Sequence, residues 1–238
     1  MDFLKAEFHC HVKLLAGGKF RRPQLIRRLN AAKGLGLDVL AVTEHMDAHD
    51  FWDIVECLIK LGLNGSGNLC WKGMRLLTGA EVTIAEGGDI LLIGSAQGLK
   101  QLESRLGRLD GNNLPPFKDL LDASEDLGFL RIGAHPCRAK KVLWKMGPLL
   151  KRLDALEINA GELSKAGYVH HQAREAGVAV VAGSDAHHWL QLGRLYNIIP
   201  AGNGPDFEKI KRAVREKKTT WCRGGALHRR ILNCCRFN

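Results

Sequence analysis

The chain has 238 residues, 45% hydrophobic and 25% charged, enough to bury a substantial core without disulfide staples; this excludes disordered, collagenous and coiled-coil classes. No apolar run approaches the roughly 18 to 20 residues of a membrane span, and the first residues run into a strand-like segment instead of a signal peptide, so a cytoplasmic protein with no membrane partner is expected. Seven scattered cysteines make no CxxC pair, which predicts reduced thiols, and the formal charge of +10 is uneven: residues 203–238 carry ten Lys and Arg against three Asp and Glu.

Seven short, β-branched-rich runs are predicted as strands, at 6–12 (AEFHCHV), 38–45 (DVLAVTEH), 75–84 (RLLTGAEVTI), 89–95 (DILLIGS), 129–136 (FLRIGAHP), 155–160 (ALEINA) and 179–187 (AVVAGSDAH). Helical patterns lie between them at 23–36, 51–63, 117–128 and 164–177, several ending in glycine. Such alternation predicts a parallel sheet with right-handed crossovers, and the lack of G-x-G-x-x-G or a Walker loop favours a closed or nearly closed βα barrel over a Rossmann sheet. Residues 1–202 are expected to form the barrel, and residues 203–238 a basic helical extension packed on the same domain. That extension can contact nucleic acid, or it can be a solvated helix over 206–218. Because the motifs below all precede residue 203, it is expected to be dispensable for hydrolysis of a small substrate.

Five of ten histidines, His9, His11, His45, His135 and His187, stand where predicted strands end, which is where parallel α/β folds build their sites. His9 and His11, two apart on a strand, share a face, while Phe8, Cys10 and Val12 are expected on the other; Asp185 and His187 repeat the device. Together with Glu81 these residues supply the imidazole nitrogens and carboxylate oxygens that bind divalent transition metals. His49, His170, His171, His188 and His228 lack such placement.

The ordered set FHCH, TEH, GAEVT, GAHP and GSDAH resembles the polymerase and histidinol phosphatase (PHP) superfamily of metal-dependent phosphoesterases, over about three quarters of the chain. The resemblance implies a distorted (βα)7 TIM-like barrel with two to three divalent ions (Zn, Mn or Fe) at the carboxyl ends of the strands. It implies that His9, His11, Glu81 and Asp185 hold one metal, that Glu81 bridges to a second held by His135, and that His45 and His187 hold a third. The chain departs from the pattern after the first pair, where HVKLLAGG places Ala16 and Gly17, which have no ligating side chain. It departs again after the Glu motif, where the usual histidine is missing and Asp89 is either its replacement or a turn residue.

Three cations are candidates for substrate phosphate: Arg138, whose guanidinium offers paired donors, Lys13 and Arg194. The expected activity is hydrolysis of small phosphate esters, mono- or diester, by a water that the metals activate, with Glu81 as bridge and His187 or solvent protonating the leaving group. The alternatives are a nuclease acting on oligonucleotide ends, and a degenerate metal-binding module that docks nucleic acid or a protein without catalysis.

Overall fold

The computed structural model describes residues 3–14, 18–65, 68–141, 143–200 and 204–224; Ala16, Gly17, His228 and the end of the basic extension lie outside them. Each predicted run holds a strand: β1 (Phe3–Glu7), β2 (Val39–His45), β4 (Met74–Thr83), β5 (Asp89–Gly94), β6 (Leu130–Ala134), β7 (Ala155–Asn159) and β8 (Ala179–Gly183). Three strands were not predicted: β3 (Cys70–Trp71), β9 (Leu195–Pro200) and β10 (Thr220–Arg223). All join one sheet in the order β10-β9-β1-β2-β4-β5-β6-β7-β8, with β3 paired to β4.

The sheet is not wholly parallel, which corrects a regular βα repeat. β5 runs antiparallel to both β4 and β6, and β9 antiparallel to both β1 and β10. The cause lies in the EGGD segment: Ile84 N–H donates to Gly88 O at 2.9 Å and Gly87 takes a φ of 89°, so β4 and β5 form a hairpin too short for a crossover helix. The result is a nearly closed, barrel-like mixed α/β sheet.

Closure falls between β8 and β1. A parallel bridge joins Cys10 to Ala186, and the Asn197 side chain accepts from Ala182 N–H at 2.8 Å while donating to Ala182 O and Ala6 O at 2.7 and 3.2 Å. One buried amide thus satisfies the facing edge of β8 and the backbone of β1, where exposed groups would be costly.

Helices α1 (Arg22–Gly34), α2 (Phe51–Gly62), α4 (Phe117–Ser124) and α5 (Ala166–Ala176) match predicted patterns, and α3 (Ala96–Leu106), capped by Ser95 Oγ accepting from Gly98 N–H at 2.9 Å, is additional. Leu25, Leu29 and Ala32 of α1 and Ile54 and Leu58 of α2 pack with Leu40, Val42, Leu76, Cys10 and Val12. A second cluster gathers Val39, Ala41, Leu77, Leu91, Ile93, Ile132 and Val181, and α6 (Phe207–Arg215) adds Ile210, Ala213 and Val214 to it.

Lys211 Nζ of α6 donates to Gly128 O at 2.9 Å and Arg215 Nε to Asp154 Oδ1 at 2.7 Å, residues that precede β6 and β7. α6 therefore packs at the end of the barrel where the parallel strands begin, while β10 extends the sheet. No helix among the described residues is long and apolar enough to cross a membrane.

Candidate metal centre

The first histidine pair does not sit on one continuous strand. β1 stops at Glu7, and Phe8 joins the cluster that α6 completes, whereas Cys10 and Val12 join the one under α1 and α2. The ladder expected over 6–12 breaks off after Glu7, whose buried carboxylate accepts from the N–H groups of His9 and Ser184, at 3.1 and 3.0 Å, in place of ladder bonds. His9 and His11 still converge, with their Nε2 atoms 3.1 Å apart.

Four strand ends meet around that pair. Glu81 Oε2 of β4 lies 3.3 Å from His11 Nε2, 3.6 Å from His9 Nε2 and 3.3 Å from His45 Nδ1 at the end of β2. Its other oxygen is 2.9 Å from His135 Nε2, just beyond β6. Asp185 Oδ1, following β8, lies 3.2 Å from His11 Nε2 and 3.4 Å from His9 Nε2. His187 stacks on His11 with ring centroids 4.1 Å apart. His135 and Asp185 hold φ of 29° and 49°, backbone strain of order 1–3 kcal/mol each that the surrounding contacts must offset.

Sequence reasoning missed the groups that aim these rings. His9 Nδ1 is 2.8 Å from Glu157 Oε1 and His11 Nδ1 is 3.2 Å from Glu44 Oε1, so each Nδ1 carries a proton to its carboxylate. Each Nε2 of a neutral ring then presents a lone pair, and the two lone pairs face each other beside two carboxylates. Acceptors do not converge in this way without a positive charge between them.

The protonation equilibria carry the same message. Burial disfavours protonated His11, yet the bonds from Asp185, Glu44 and Glu81 outweigh it and raise its pKa to about 10. His9 is likewise raised despite burial, chiefly by the charge of Glu157. Burial alone would raise Glu81 and Asp185, but the nearby His9 charge leads the contacts that hold both well below the carboxylate range. Glu44 is lowered to about 2 in spite of burial, by His11 and by the N–H groups of Lys13 and Val12. Without a cation the cluster gathers protons.

Three groupings bring their ligand atoms within 4.8 Å of one another: His9 with His11 and Asp185, His9 with Glu81 and His135, and His11 with His45 and His187. Mixed imidazole and carboxylate donors of this kind fit divalent transition metals. Asp89 is in none of them. It lies 3.7 Å from Nδ1 of His135, on the ring edge away from Glu81, and its carboxylate is taken by Lys141 Nζ at 2.7 Å and Thr83 Oγ1 at 2.8 Å. It stands in β5 beside the His135 ring and not in the turn.

The cationic candidates divide sharply. Lys13 is buried, and its ammonium donates to Asp50 at 2.7 Å, so it is not poised over the histidines; the chain turns it toward the segment after His45. Arg138 Nη2 donates to Asp185 Oδ2 at 2.6 Å with about a third of its side chain exposed, and Lys141, in the same loop after the GAHP motif, stands similarly on Asp89. Arg194 precedes β9 on the side where β1 ends, half-buried.

Another unforeseen residue is Arg28, buried in α1. Its Nε donates to His11 O at 2.6 Å and Nη2 to Val12 O at 3.1 Å, and Nη2 also donates to His187 O. One guanidinium therefore ties the first histidine segment to the last. Gly183 makes room for the cluster: a Cβ there would come within 1.9 Å of Glu157 Oε1 and 2.7 Å of His9 Cβ.

Comparison with known proteins agrees with this architecture. A sequence family described as PHP-associated (PHP_C) matches residues 171–219, and no curated protein sequence matches the chain. The crystal structure of PsfC from Pseudomonas syringae PB-5123 superposes with a TM-score of 0.80 at 24% identity, covering 98% of this chain and 96% of that one. The lesion-specific endonuclease PfuEndoQ from Pyrococcus furiosus gives 0.67 at 19% identity and 90% coverage, and this chain spans only 56% of it. A Bifidobacterium adolescentis protein assigned as a metal-dependent phosphoesterase gives 0.50 at 16% identity, covering 77% of this chain and 87% of that one. The strand order, the histidine-bearing strand ends and these superpositions agree on one conclusion: the chain has the PHP superfamily fold.

Proposed function

We propose that the protein hydrolyses phosphate esters, diesters among them, with divalent metal ions held at the histidine and carboxylate cluster. The observation that carries this reading is the pair of His9 and His11 Nε2 atoms, 3.1 Å apart and flanked by Glu81 and Asp185. His9, His11, Glu81 and Asp185 would hold one ion, Glu81 and His135 a second, and His45 and His187 a third. Bound there, the ions supply a nucleophile at neutral pH and offset charge on the phosphoryl oxygens.

The chain's own groups do the rest. Glu157 and Glu44 keep the His9 and His11 rings in the tautomer that points Nε2 inward. Arg138, already beside Asp185 and partly exposed, turns its remaining N–H groups to a phosphate oxygen. His187, whose protonated form burial disfavours, rests Nδ1 near Asp185 O at 3.2 Å and offers Nε2 to the cluster, and solvent protonates the leaving group. Arg194 contributes at the rim to longer substrates.

The endonuclease activity of the Pyrococcus furiosus relative supports including diesters. The test is protein purified without chelator, its metal content measured and its turnover assayed on p-nitrophenyl phosphate, bis-p-nitrophenyl phosphate and nucleotides. Turnover that vanishes with chelator and returns with Zn, Mn or Fe is expected. Metal-loaded protein inert toward every ester would overturn the proposal.

A further inference from the structure

Between Glu7 and Asp38 the sequence holds no acidic residue but seven cations. Two are buried and spoken for, Lys13 on Asp50 and Arg28 on the carbonyls of the site. The other five decorate the outside: Lys19, Arg21, Arg22 and Arg27 are exposed and Lys33 is half-buried. None of the five is ion-paired among the described residues, whereas on α6 Lys211 pairs with Glu208 and Arg215 with Asp154. Burial explains Leu25, Arg28, Leu29 and Ala32 of α1, whereas of the helix's other cations Arg27 points opposite that stripe and Arg22 and Lys33 flank it, and nothing in the packing calls for positive charge at these positions.

The placement of α1 gives that face a direction. Phe20 N–H donates to Asp50 Oδ2 at 2.7 Å, fastening residues 19–22 beside the turn that follows His45, and Arg28 ties the helix to His11 and His187. At the far end, Trp71 Nε1 and Lys72 Nζ both donate to Asn30 Oδ1, at 3.2 and 3.0 Å, and Lys72 stands 5.7 Å from the Trp71 ring centre. Unpaired cations thus surround the exposed side of α1 and its leading segment between the Trp71 ring and the rim of the metal centre. The helix has 13 residues, about 20 Å of length, enough to face several phosphates of one strand.

We infer that the outer face of α1 docks the phosphate backbone of a single-stranded nucleic acid and leads it to the metal centre. The inference rests on the phosphoesterase reading and names its substrate class. Unpaired cations with an aromatic at one end are what a strand-tracking groove needs: charge for the backbone and a ring for a base. An interfacial helix would instead show a row of exposed apolar side chains, which this face lacks. The charge on α6, by contrast, is partly neutralised at home.

The test is fluorescence anisotropy of the full chain, as purified, with a fluorescein-labelled phosphorothioate oligothymidylate across a salt series. This readout needs no turnover, so failure of the hydrolase reading stays distinct from failure of docking. R21Q/R22Q/R27Q should weaken binding about tenfold or more and lower the slope of log affinity against log salt by about 2, as loss of three contacts requires. R229Q/R230Q/R236Q, in the basic extension, should change affinity by less than about twofold. Binding that survives the first variant with its melting curve unchanged would overturn the inference. So would loss of binding in the second alone, or tighter association with phosphatidylserine vesicles than with the oligonucleotide.

Discussion

The two ends of the barrel handle charge in opposite ways. Where the parallel strands finish, imidazole lone pairs and carboxylates converge, two residues hold positive φ, and proton affinities are pulled far from their usual values. Where those strands begin, Asp154 meets Arg215 Nε at 2.7 Å and Arg131 N–H at 2.8 Å, and α6 adds apolar side chains to the core. The first end concentrates like groups that only an outside cation can reconcile; the second resolves its charges internally. Stability and chemistry are thus separable along the barrel axis.

The largest effect is expected from cutting at that second end. Removing residues from 203 onward deletes α6 and β10, and burial of Ile210 and Val214 alone is worth roughly 1.5–3 kcal/mol each against a total stability of about 5–15. The truncated chain should lose its cooperative melt by circular dichroism, contrary to the expectation that this segment is dispensable. A soluble, cooperatively melting truncation would refute the division of labour.

Glu81→Gln comes next. Metal content by elemental analysis and ester turnover should both collapse while far-UV circular dichroism is retained, because Glu81 alone touches His9, His11, His45 and His135. Arg138→Ala should lower kcat/KM about tenfold to a thousandfold at constant metal content, the effect of one charge-assisted hydrogen bond or slightly more in a dry site. Loss of metal in that variant would move Arg138 from substrate to ligand support.

The smallest effect belongs to Asp154→Asn, whose partner Arg215 is half-exposed. A loss of about 1 kcal/mol, or roughly 2–4 °C in Tm for a chain of this size, is expected, with kcat/KM unchanged. A variant with normal melting and impaired turnover would show that the two ends are coupled.

The sequence made legible what depends on residue type at a strand end. His9, His11, His45, Glu81, His135, Asp185 and His187 are chemically conspicuous there, and the structure brings them together. Glu157 and Glu44 were hidden because an acid inside an apolar strand looks like an ordinary polar interruption until its partner ring, 148 positions away for Glu157, is known. Lys13 misled because alternation was extended past Glu7, where the strand breaks. Asp89 proved to lie in β5 and not in a turn, and its pairing with Lys141, across 52 residues, could not be read locally. β9 and β10 escaped notice because only pairing with β1 and with each other makes LYNIIP and TWCR strands.

Gly183 shows how tightly this arrangement is interlocked. With any side chain at 183, the Glu157 carboxylate and the His9 Cβ would have to move together, since both crowd the space that a Cβ would fill. Two strands, β7 and β8, and the segment after β1 therefore meet at one position with no room for a methyl group. An engineer seeking new specificity by randomising single positions would find 9, 157 and 183 each intolerant, yet a library that varies the three jointly could explore alternative placements of the buried acid. The accessible routes through sequence space here run along triplets, while the partly exposed Arg138 and Lys141 can drift one at a time.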